Sequence, residues 1–453
     1  MPLPPTPPAQ DDPPARHLGW ALRKRREAMA LDRAAVGLAL GYSEDRVRQA
    51  ELAIYPAGTA FMARWAKVYG LDDELQALWV RTLADTTPRP RRRKRMGANP
   101  SARQLDSEWT PASTAELLEP PEDPTHMSPA TASRLAHEWM ITDPPHVVQL
   151  AAGRRIGADL VTTIERRVVQ LRRMDDFIGG GDLLAVIRAE LDHTKRLLDE
   201  ASYDEALGRR LLSSVADLLH LGGWAAADDG QFELAERLYT RGIRAAHAAD
   251  DAPMAANLIS SLAYLYTNKG EAREGVMLAR TAATGAWHRA SATTRALLQE
   301  RVAWSHARAG ELRETERALG EVDSLFDQRQ PEDDPHFVYW LNRDEIEVMA
   351  GRCYTELGHP ERAEPRLRAV LDRYDDDRAR EKALYGSWLA EDYIQMGEVD
   401  RAASQATEVL LLSSRVNSAR GRDRVAVVRH KLRPYRDNQA VHEFEAAYQE
   451  LTA

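Results

Sequence analysis

The residues of this chain best suited to binding chemistry are cations gathered near its N-terminus. Residues 16–95 contain 17 lysines and arginines against 9 aspartates and glutamates, a net charge of +8, whereas the whole chain carries −9. A basic segment on an otherwise acidic chain predicts contact with a polyanion such as a nucleic acid.

The densest group of cations lies in residues 88–95, where six of eight side chains are basic, including Arg91, Arg92 and Arg93. Such an arm can add phosphate contacts or lie in a minor groove. Neighbouring cations also repel one another and keep a chain extended, so a solvated linker is the other interpretation. The sequence leaves both open.

Patterns that would support catalysis are missing from the sequence. It contains no His-Glu-x-x-His zinc motif, no nucleophile elbow and no phosphate-loop lysine. Its one cysteine, Cys353, excludes an intramolecular disulfide and is too few for a zinc site built on cysteines. We therefore expect a protein that is not an enzyme and holds no cofactor or metal.

Composition also bears on the compartment. No run of about eighteen apolar residues is present, so no membrane span is expected. The proline-rich N-terminus lacks the basic lead and apolar core of a secretory signal. We expect a cytoplasmic protein.

Four or five short helices are predicted in residues 16–83, and these helices must position the N-terminal cations. Asp32 and Ser43 stand where the N-caps of the second and third helices belong. Gly41 separates those two helices by a turn of about three residues, which is the geometry of a helix-turn-helix.

The same segment resembles the phage-repressor-like (XRE-like) helix-turn-helix family. The resemblance rests on Leu18, Gly19, Leu22, Arg23, Arg26, Leu31, Val36, Gly41, Ser43, Val47, Glu51 and Pro56, and on the segment 61–71. In that family the third helix enters the major groove of double-stranded DNA, and the start of the second contacts phosphate. The resemblance therefore implies a phosphate contact at Arg33 and a base-reading surface made of Glu44, Asp45, Arg46 and Gln49, with Arg48 beside it. Ser43 is also expected at the DNA interface.

Two residues of this surface depart from what DNA binding favours. Glu44 and Asp45 place carboxylates where DNA would lie. They could accept hydrogen bonds from cytosine amino groups, or they could merely stabilise the positive end of the third helix. The second interpretation leaves open a degenerate domain that no longer binds DNA.

Glycines at a regular spacing organise the rest of the chain. Gly230, Gly270 and Gly310 lie forty residues apart, each between two amphipathic helical segments, and weaker copies break at Gly358 and Gly397. A fixed period of helical hairpins is typical of an α-solenoid, in which stacking buries the apolar face of each hairpin.

The hairpins resemble tetratricopeptide repeats. Seven residues before and five after most of the glycines stand the small residues of that family, for example Gly223 with Ala235 and Gly351 with Ala363. The resemblance implies a concave groove, lined by the first helix of each hairpin, that binds a peptide or protein. Its expected lining includes Trp224, Asn257, Tyr264, Glu300, Arg301, Trp304 and Arg352.

These groove residues suggest distinct roles. Asn257 could pair with a peptide backbone, the aromatic side chains could anchor apolar groups, and Arg301 or Arg352 could hold a carboxylate. Alternatively, the aromatic residues belong to the core of the hairpins.

Together these patterns predict an all-α chain with four parts. They are a proline-rich tail in residues 1–15, a helix-turn-helix domain in 16–83, a basic, proline-rich linker in 84–130 and an α-solenoid with C-terminal capping helices in 131–453. The combination resembles actinobacterial regulators of development and antibiotic production and the peptide-pheromone sensors of Gram-positive bacteria. It implies a homodimeric transcriptional regulator. A protein-interaction scaffold with a vestigial helix-turn-helix is the alternative.

Overall fold

A computed structural model describes residues 8, 12, 14–40, 42, 44–53, 59–70, 72–84, 113–115, 128–148, 153–175, 180–374, 378–415 and 419–452. Within those ranges the chain is helical and has no β-strand, only an isolated bridge between Arg155 and Ser202. The predicted all-α fold class is therefore confirmed. The chain divides into two compact units, residues 1–98 and 99–453.

Five helices occupy the described part of the first unit. They are α1 (Pro14–Ala28), α2 (Arg33–Leu40), α3 (Glu44–Glu51), α4 (Thr59–Tyr69) and α5 (Asp73–Ala84). Asp32 caps α2 as predicted, because its Oδ1 accepts a hydrogen bond of 2.6 Å from the backbone N–H of Ala35. Ser43, the expected cap of α3, lies outside the described residues.

A small apolar core holds the five helices together. Gly19 of α1 lies so close to α3 that a Cβ atom there would stand 2.5 Å from the backbone oxygen of Ala50. Only glycine permits this approach, which fixes α3 against α1. The side chains of the core are Leu18, Leu22, Val36, Leu40, Val47, Ala50, Phe61, Met62, Trp65 and Leu75.

The described part of the second unit is built from helices. In chain order they are α6 (Pro129–Ile141), α7 (Ala158–Met174), α8 (Gly180–Glu200), α9 (Glu205–Asp228), α10 (Phe232–Ala248), α11 (Ala252–Asn268), α12 (Ala272–Gly285), α13 (Ala292–Arg308), α14 (Leu312–Asp327), α15 (Arg343–Glu356), α16 (Pro360–Leu371), α17 (Ala379–Gln395), α18 (Val399–Arg415), α19 (Ala419–Leu432) and α20 (Gln439–Thr452). From α8 to α19 each helix contacts the next one in the chain.

Glycine ends the first helix of each of the five predicted hairpins, from α9–α10 to α17–α18. Gly230, Gly270, Gly310, Gly358 and Gly397 all have positive φ, between 74° and 94°. This left-handed conformation suits glycine and closes a helix end. At Gly270, for example, the N–H donates to Thr267 O at 3.2 Å, and the next N–H, of Glu271, donates to Tyr266 O at 3.0 Å.

The hairpins stack into an array because their first helices pack side by side. Each of α9, α11, α13, α15 and α17 contacts the next first helix, ending at α19. Small residues let the two helices of a hairpin approach closely. A Cβ on Gly223 would lie 2.5 Å from the Tyr239 ring, and one on Gly351 would lie 2.7 Å from Leu367. The predicted α-solenoid is thus observed as stacked helix pairs.

One connection interrupts the regular stack. Residues 328–342 join α14 to α15 through two short 3-10 turns, Pro331–Asp333 and His336–Val338. The segment lies between α13 and α7: Thr293 donates to the Asp334 carboxylate at 2.6 Å, and the Arg173 guanidinium lies 3.7 Å from the centroid of the Tyr339 ring. It therefore joins two parts of the array that are distant in sequence.

A second long-range contact joins the start of the fifth hairpin to the first hairpin. Arg380 of α17 donates to the buried carboxylate of Asp228 at 2.6 Å and to the backbone oxygen of Asp175 at 3.2 Å. These contacts connect segments of the array that are 152 and 205 residues apart in the chain. No helix in the described ranges is long and apolar enough to cross a lipid bilayer.

Candidate functional site

Helix α3 presents two different faces. Val47, Ala50 and Glu51 are buried against the core of the first unit, whereas Glu44 and Arg48 are exposed on the opposite side. Residues four apart share one face of a helix, so Glu44 and Arg48 form the centre of an outward-facing surface.

The other expected base-reading residues flank this surface. Arg46 and Gln49 are half-buried, and the Arg46 guanidinium lies 5.4 Å from the centroid of the Phe61 ring. Arg46 therefore packs partly on the domain itself. The side chain of Asp45 and the residues Ser43, Arg91, Arg92 and Arg93 lie outside what the structure describes.

Arg33, the expected phosphate contact, takes part in an ion-pair network. Its Nε donates to Glu51 at 2.8 Å, and Arg26 donates to the same carboxylate at 2.5 Å. The Glu51 side chain is 2% exposed, so two cations neutralise one buried charge. This network links α1, α2 and α3. It also gives Arg33 a structural role that the sequence patterns did not reveal.

The second unit contains a cavity of about 550 Å³ on the inner face of the array. Helices α7, α9, α11, α13, α15 and α17 line it together with the connection 328–342. Among its lining residues are six of the seven expected groove residues: Trp224, Asn257, Tyr264, Glu300, Arg301 and Arg352. The seventh, Trp304, is 1% exposed and belongs to the core, where its Nε1 donates to Asn268 at 3.0 Å.

Aromatic rings and arginines alternate along this inner face. The Tyr264 ring centroid lies 6.3 Å from that of Trp224 and 6.2 Å from that of Trp304. The Arg301 guanidinium lies 4.8 Å from the Tyr264 ring centroid, and that of Arg352 lies 4.5 Å from the Trp304 ring centroid. Aromatic faces attract cations at these distances, so the rings hold both arginines in place.

A chain of polar contacts runs along one side of the cavity. Asp217 pairs with both Arg172 and His336, and Arg172 also approaches His220 Nδ1 at 3.2 Å. Because arginine can only donate, His220 Nδ1 accepts and the proton of the neutral ring sits on Nε2. That Nε2–H can donate to the hydroxyl oxygen of Ser261 at 3.0 Å. The amide nitrogen of Asn257 lies 3.2 Å from the same Nε2, but it is also a donor, so this tautomer forms no hydrogen bond with it.

Burial sets the protonation of two members of this chain. Burial and, after it, the nearby Arg172 lower the pKa of His220 to about 3, so the ring is neutral at physiological pH. Burial alone would raise the pKa of Asp217, but Arg172 and His336 outweigh it and hold that pKa well below its ordinary value. Asp217 therefore stays ionised.

Two glutamates in the cavity, unlike Asp217, have a raised pKa. Burial raises the pKa of Glu300 to about 8 despite the neighbouring Arg301, and Glu345 adds to the increase. Burial also raises the pKa of Glu345, although Tyr385 and Tyr374 donate hydrogen bonds to its carboxylate at 2.6 and 3.1 Å. The Oε1 atom of Glu300 is buried and has no hydrogen-bond partner among the described residues.

Comparison with known proteins bears on the first unit. Residues 17–79 match the protein family described as a helix-turn-helix domain. This part of the chain is a helix-turn-helix domain. The match covers most of α1, all of α2 to α4 and most of α5, and it supports a DNA-binding regulator. No curated protein matches the chain.

Outside the helix-turn-helix domain, the sequence patterns missed several cavity residues. Arg172 and Arg173 come from α7, Tyr339 and Trp340 from the connection 328–342, and Arg380 from the start of α17. One signal could have revealed the connection. Gly310 and Gly358 are 48 residues apart, not forty, and Pro331 and Pro335 lie between them. Within the described ranges, no group of three or more His, Cys, Asp or Glu side chains could hold a metal.

Proposed function

We propose that this chain is a transcriptional regulator that binds double-stranded DNA through its helix-turn-helix domain and binds a peptide signal through a tetratricopeptide-like array. The observation that carries the proposal is the match of residues 17–79 to the helix-turn-helix family. The outward face of α3, with Glu44 and Arg48, supports the same role because recognition helices read bases from such a face.

The cavity in the array supports a role as a sensor. A volume of about 550 Å³ falls within the range of small-molecule sites. It favours a short peptide over a folded protein as the occupant. The aromatic rings supply apolar contacts, while the arginines and the amide of Asn257 supply polar ones.

Sensing requires that the signal distinguish two states of the protein. A ligand that binds the DNA-competent and the incompetent state equally well shifts nothing. The connection 328–342 is suited to report occupancy, because it lines the cavity and also contacts α7 and α13. We propose that ligand binding changes the position of this connection.

We also propose that the regulator is a homodimer. A single recognition helix covers only half a site, and two-fold pairing is the usual way to lengthen the sequence that is read. Light scattering of the full chain with and without DNA measures this directly. A monomer at micromolar concentration under both conditions would contradict the proposed homodimer.

The DNA-binding role can be tested with one matched pair of variants of the full chain. Arg48→Ala removes an exposed cation from α3, and Arg81→Ala removes an exposed cation from α5. Fluorescence anisotropy would compare a preferred site, selected from genomic fragments, with random duplex DNA.

Arg48→Ala should lower the ratio of specific to non-specific affinity by roughly five-fold or more, as expected for loss of one base contact. Arg81→Ala should leave that ratio unchanged. If the wild type selects no preferred site, or both variants behave alike, α3 does not read DNA.

A further inference from the structure

Two buried arginines in the cavity lack a carboxylate partner. Arg301 and Arg352 are 6% and 8% exposed, and among the residues that the structure describes neither forms an ion pair. Their partners are instead aromatic rings and the hydroxyl of Tyr264, which accepts a hydrogen bond of 2.8 Å from Arg352. The Nε of Arg352 is buried and has no hydrogen-bond partner within the same ranges.

Other arginines of the array that are shielded from solvent have carboxylate partners. Arg172 pairs with Asp217, and Arg424, whose side chain is 14% exposed, pairs with Glu391. Burying an unpaired charge is costly, and cation–π contacts recover only about 2 kcal/mol even when desolvated. The cavity therefore has two cations ready for an anion that the described part of the chain does not supply.

The nearest candidate for an internal counter-ion is Glu300. It is 1% exposed, and the two arginines influence its carboxyl, yet it forms no ion pair with either among the described residues. Because burial raises its pKa to about 8, the carboxyl holds its proton at neutral pH. A protonated carboxyl can donate a hydrogen bond to an anion and does not repel it.

We propose that the cavity is a binding site for a carboxylate, held by Arg301 and Arg352 with Glu300 as a third donor. Planar guanidinium groups match the two oxygens of a carboxylate. A dianionic phosphate is less suited, because Glu381 also lines the cavity and would repel a second charge. The aromatic side chains Tyr264 and Trp340 would contact an apolar or aromatic body attached to the carboxylate.

The carboxylate could belong to a free organic acid or to the C-terminus of a short peptide. Both present the same group to the arginines, and both fit a volume of about 550 Å³. This inference rests on the proposed sensing function, because it names the chemistry of the signal. It makes no claim about DNA binding.

Ligand binding to the full chain without DNA tests the proposal. Benzoate and its uncharged relative benzamide form one pair of probes, and Ala-Ala-Phe with a free or an amidated C-terminus forms the other. The readouts are quenching of tryptophan fluorescence, since Trp224 and Trp340 line the cavity, and the shift in melting temperature.

Benzoate or the free-acid peptide should quench tryptophan fluorescence and raise the melting temperature. The concentration needed for half of the effect should be at least ten-fold lower than for the uncharged relative. Stronger binding of benzoate assigns the site to free acids, and stronger binding of the peptide assigns it to peptide C-termini. Arg301→Met and Arg352→Met should each weaken binding by ten-fold or more. Arg317→Met, which changes an exposed arginine of α14, should not.

The melting temperature of the arginine variants tests the proposal without any ligand. Burying an unpaired cation is costly, and an apolar side chain of similar length removes that cost. Arg352→Met should therefore fold and melt at or above the temperature of the wild type. Equal effects of acids and uncharged relatives, including no effect of either, would overturn the carboxylate site.

The outcome is separable from the proposed function. If carboxylates bind but leave the DNA affinity unchanged, the binding site stands and the sensing role fails. If DNA binds but carboxylates and their uncharged relatives bind alike, the carboxylate site fails and DNA binding stands.

Discussion

Arg352 donates a hydrogen bond of 2.8 Å to the hydroxyl of Tyr264, although 88 residues separate the two in the chain. The bond joins α11 to α15 across the inner face of the array. Within the described residues, this is the one hydrogen bond that the Arg352 guanidinium donates to an oxygen atom. Tyr264 thus links two hairpins of the array and holds the arginine in the cavity.

Tyr264→Phe should destabilise the second unit. The change leaves the buried Arg352 without its oxygen acceptor, which costs about 1–3 kcal/mol. Urea denaturation of the full chain measures the loss. Tyr435→Phe is the control, because Tyr435 is partly exposed and has no hydrogen bond through its hydroxyl among the described residues, and it should change stability little. Equal stability of the two variants would show that the hydroxyl of Tyr264 does not support Arg352.

Glu300→Gln should make stability less dependent on pH. Burial raises the pKa of Glu300 to about 8 from an ordinary value of 4.5. A carboxyl whose pKa is higher in the folded chain than in the unfolded chain stabilises the fold fully below the unfolded-state pKa. That contribution is lost as the pH rises toward the folded-state pKa. Glutamine does not titrate, so the melting temperature of the variant relative to the wild type should increase between pH 5 and pH 8.

The size of this effect can be judged against a control. Each kcal/mol corresponds to a shift of roughly 2–4 °C in a unit of a few hundred residues. Glu321→Gln changes an exposed glutamate of α14 and should show a constant difference from the wild type over the same range. A constant difference for Glu300→Gln as well would mean that Glu300 is ionised at neutral pH.

A pair of glycine variants tests the packing of the hairpins. Gly223→Ala would place a Cβ 2.5 Å from the Tyr239 ring, and such overpacking costs about 1–3 kcal/mol. Gly320 lies in α14, and no atom of the described residues stands within 4 Å of the position that its Cβ would take. Gly320→Ala should therefore stabilise the helix by about 0.5–1 kcal/mol. Chemical denaturation distinguishes the two signs. A stabilising Gly223→Ala would show that α9 and α10 are not closely packed there.

Local signals in the sequence are enough to predict most of the fold. The cap at Asp32 and the apolar spacing from Leu18 to Trp65 identify the helices of the first unit, because capping and amphipathicity act within a few residues. Glycine stops identify the hairpins for the same reason. Gly230 needs positive φ whatever its distant neighbours are. These features determine the register that places Asn257, Tyr264 and Arg352 on one face.

The cavity itself cannot be predicted in this way. Its walls depend on contacts between distant segments, such as the hydrogen bond from Tyr339 to Arg172 O across 167 residues. The pairing of Arg33 with Glu51 escapes prediction for a similar reason, since their positions in the family pattern reveal nothing about ion pairs. Trp304 lies in the core and not along the cavity, and helical periodicity alone does not separate a groove position from a core position one turn away.

The most direct test of the central claim is the salt dependence of DNA binding by the full chain. Cations that neutralise phosphates release counter-ions, so affinity falls steeply as salt increases. We predict that binding to a preferred duplex weakens by at least about ten-fold between roughly 50 and 200 mM salt, as expected for several phosphate contacts. Affinity that stays flat over this range, or no binding to any genomic fragment at its lower end, would contradict a DNA-binding regulator.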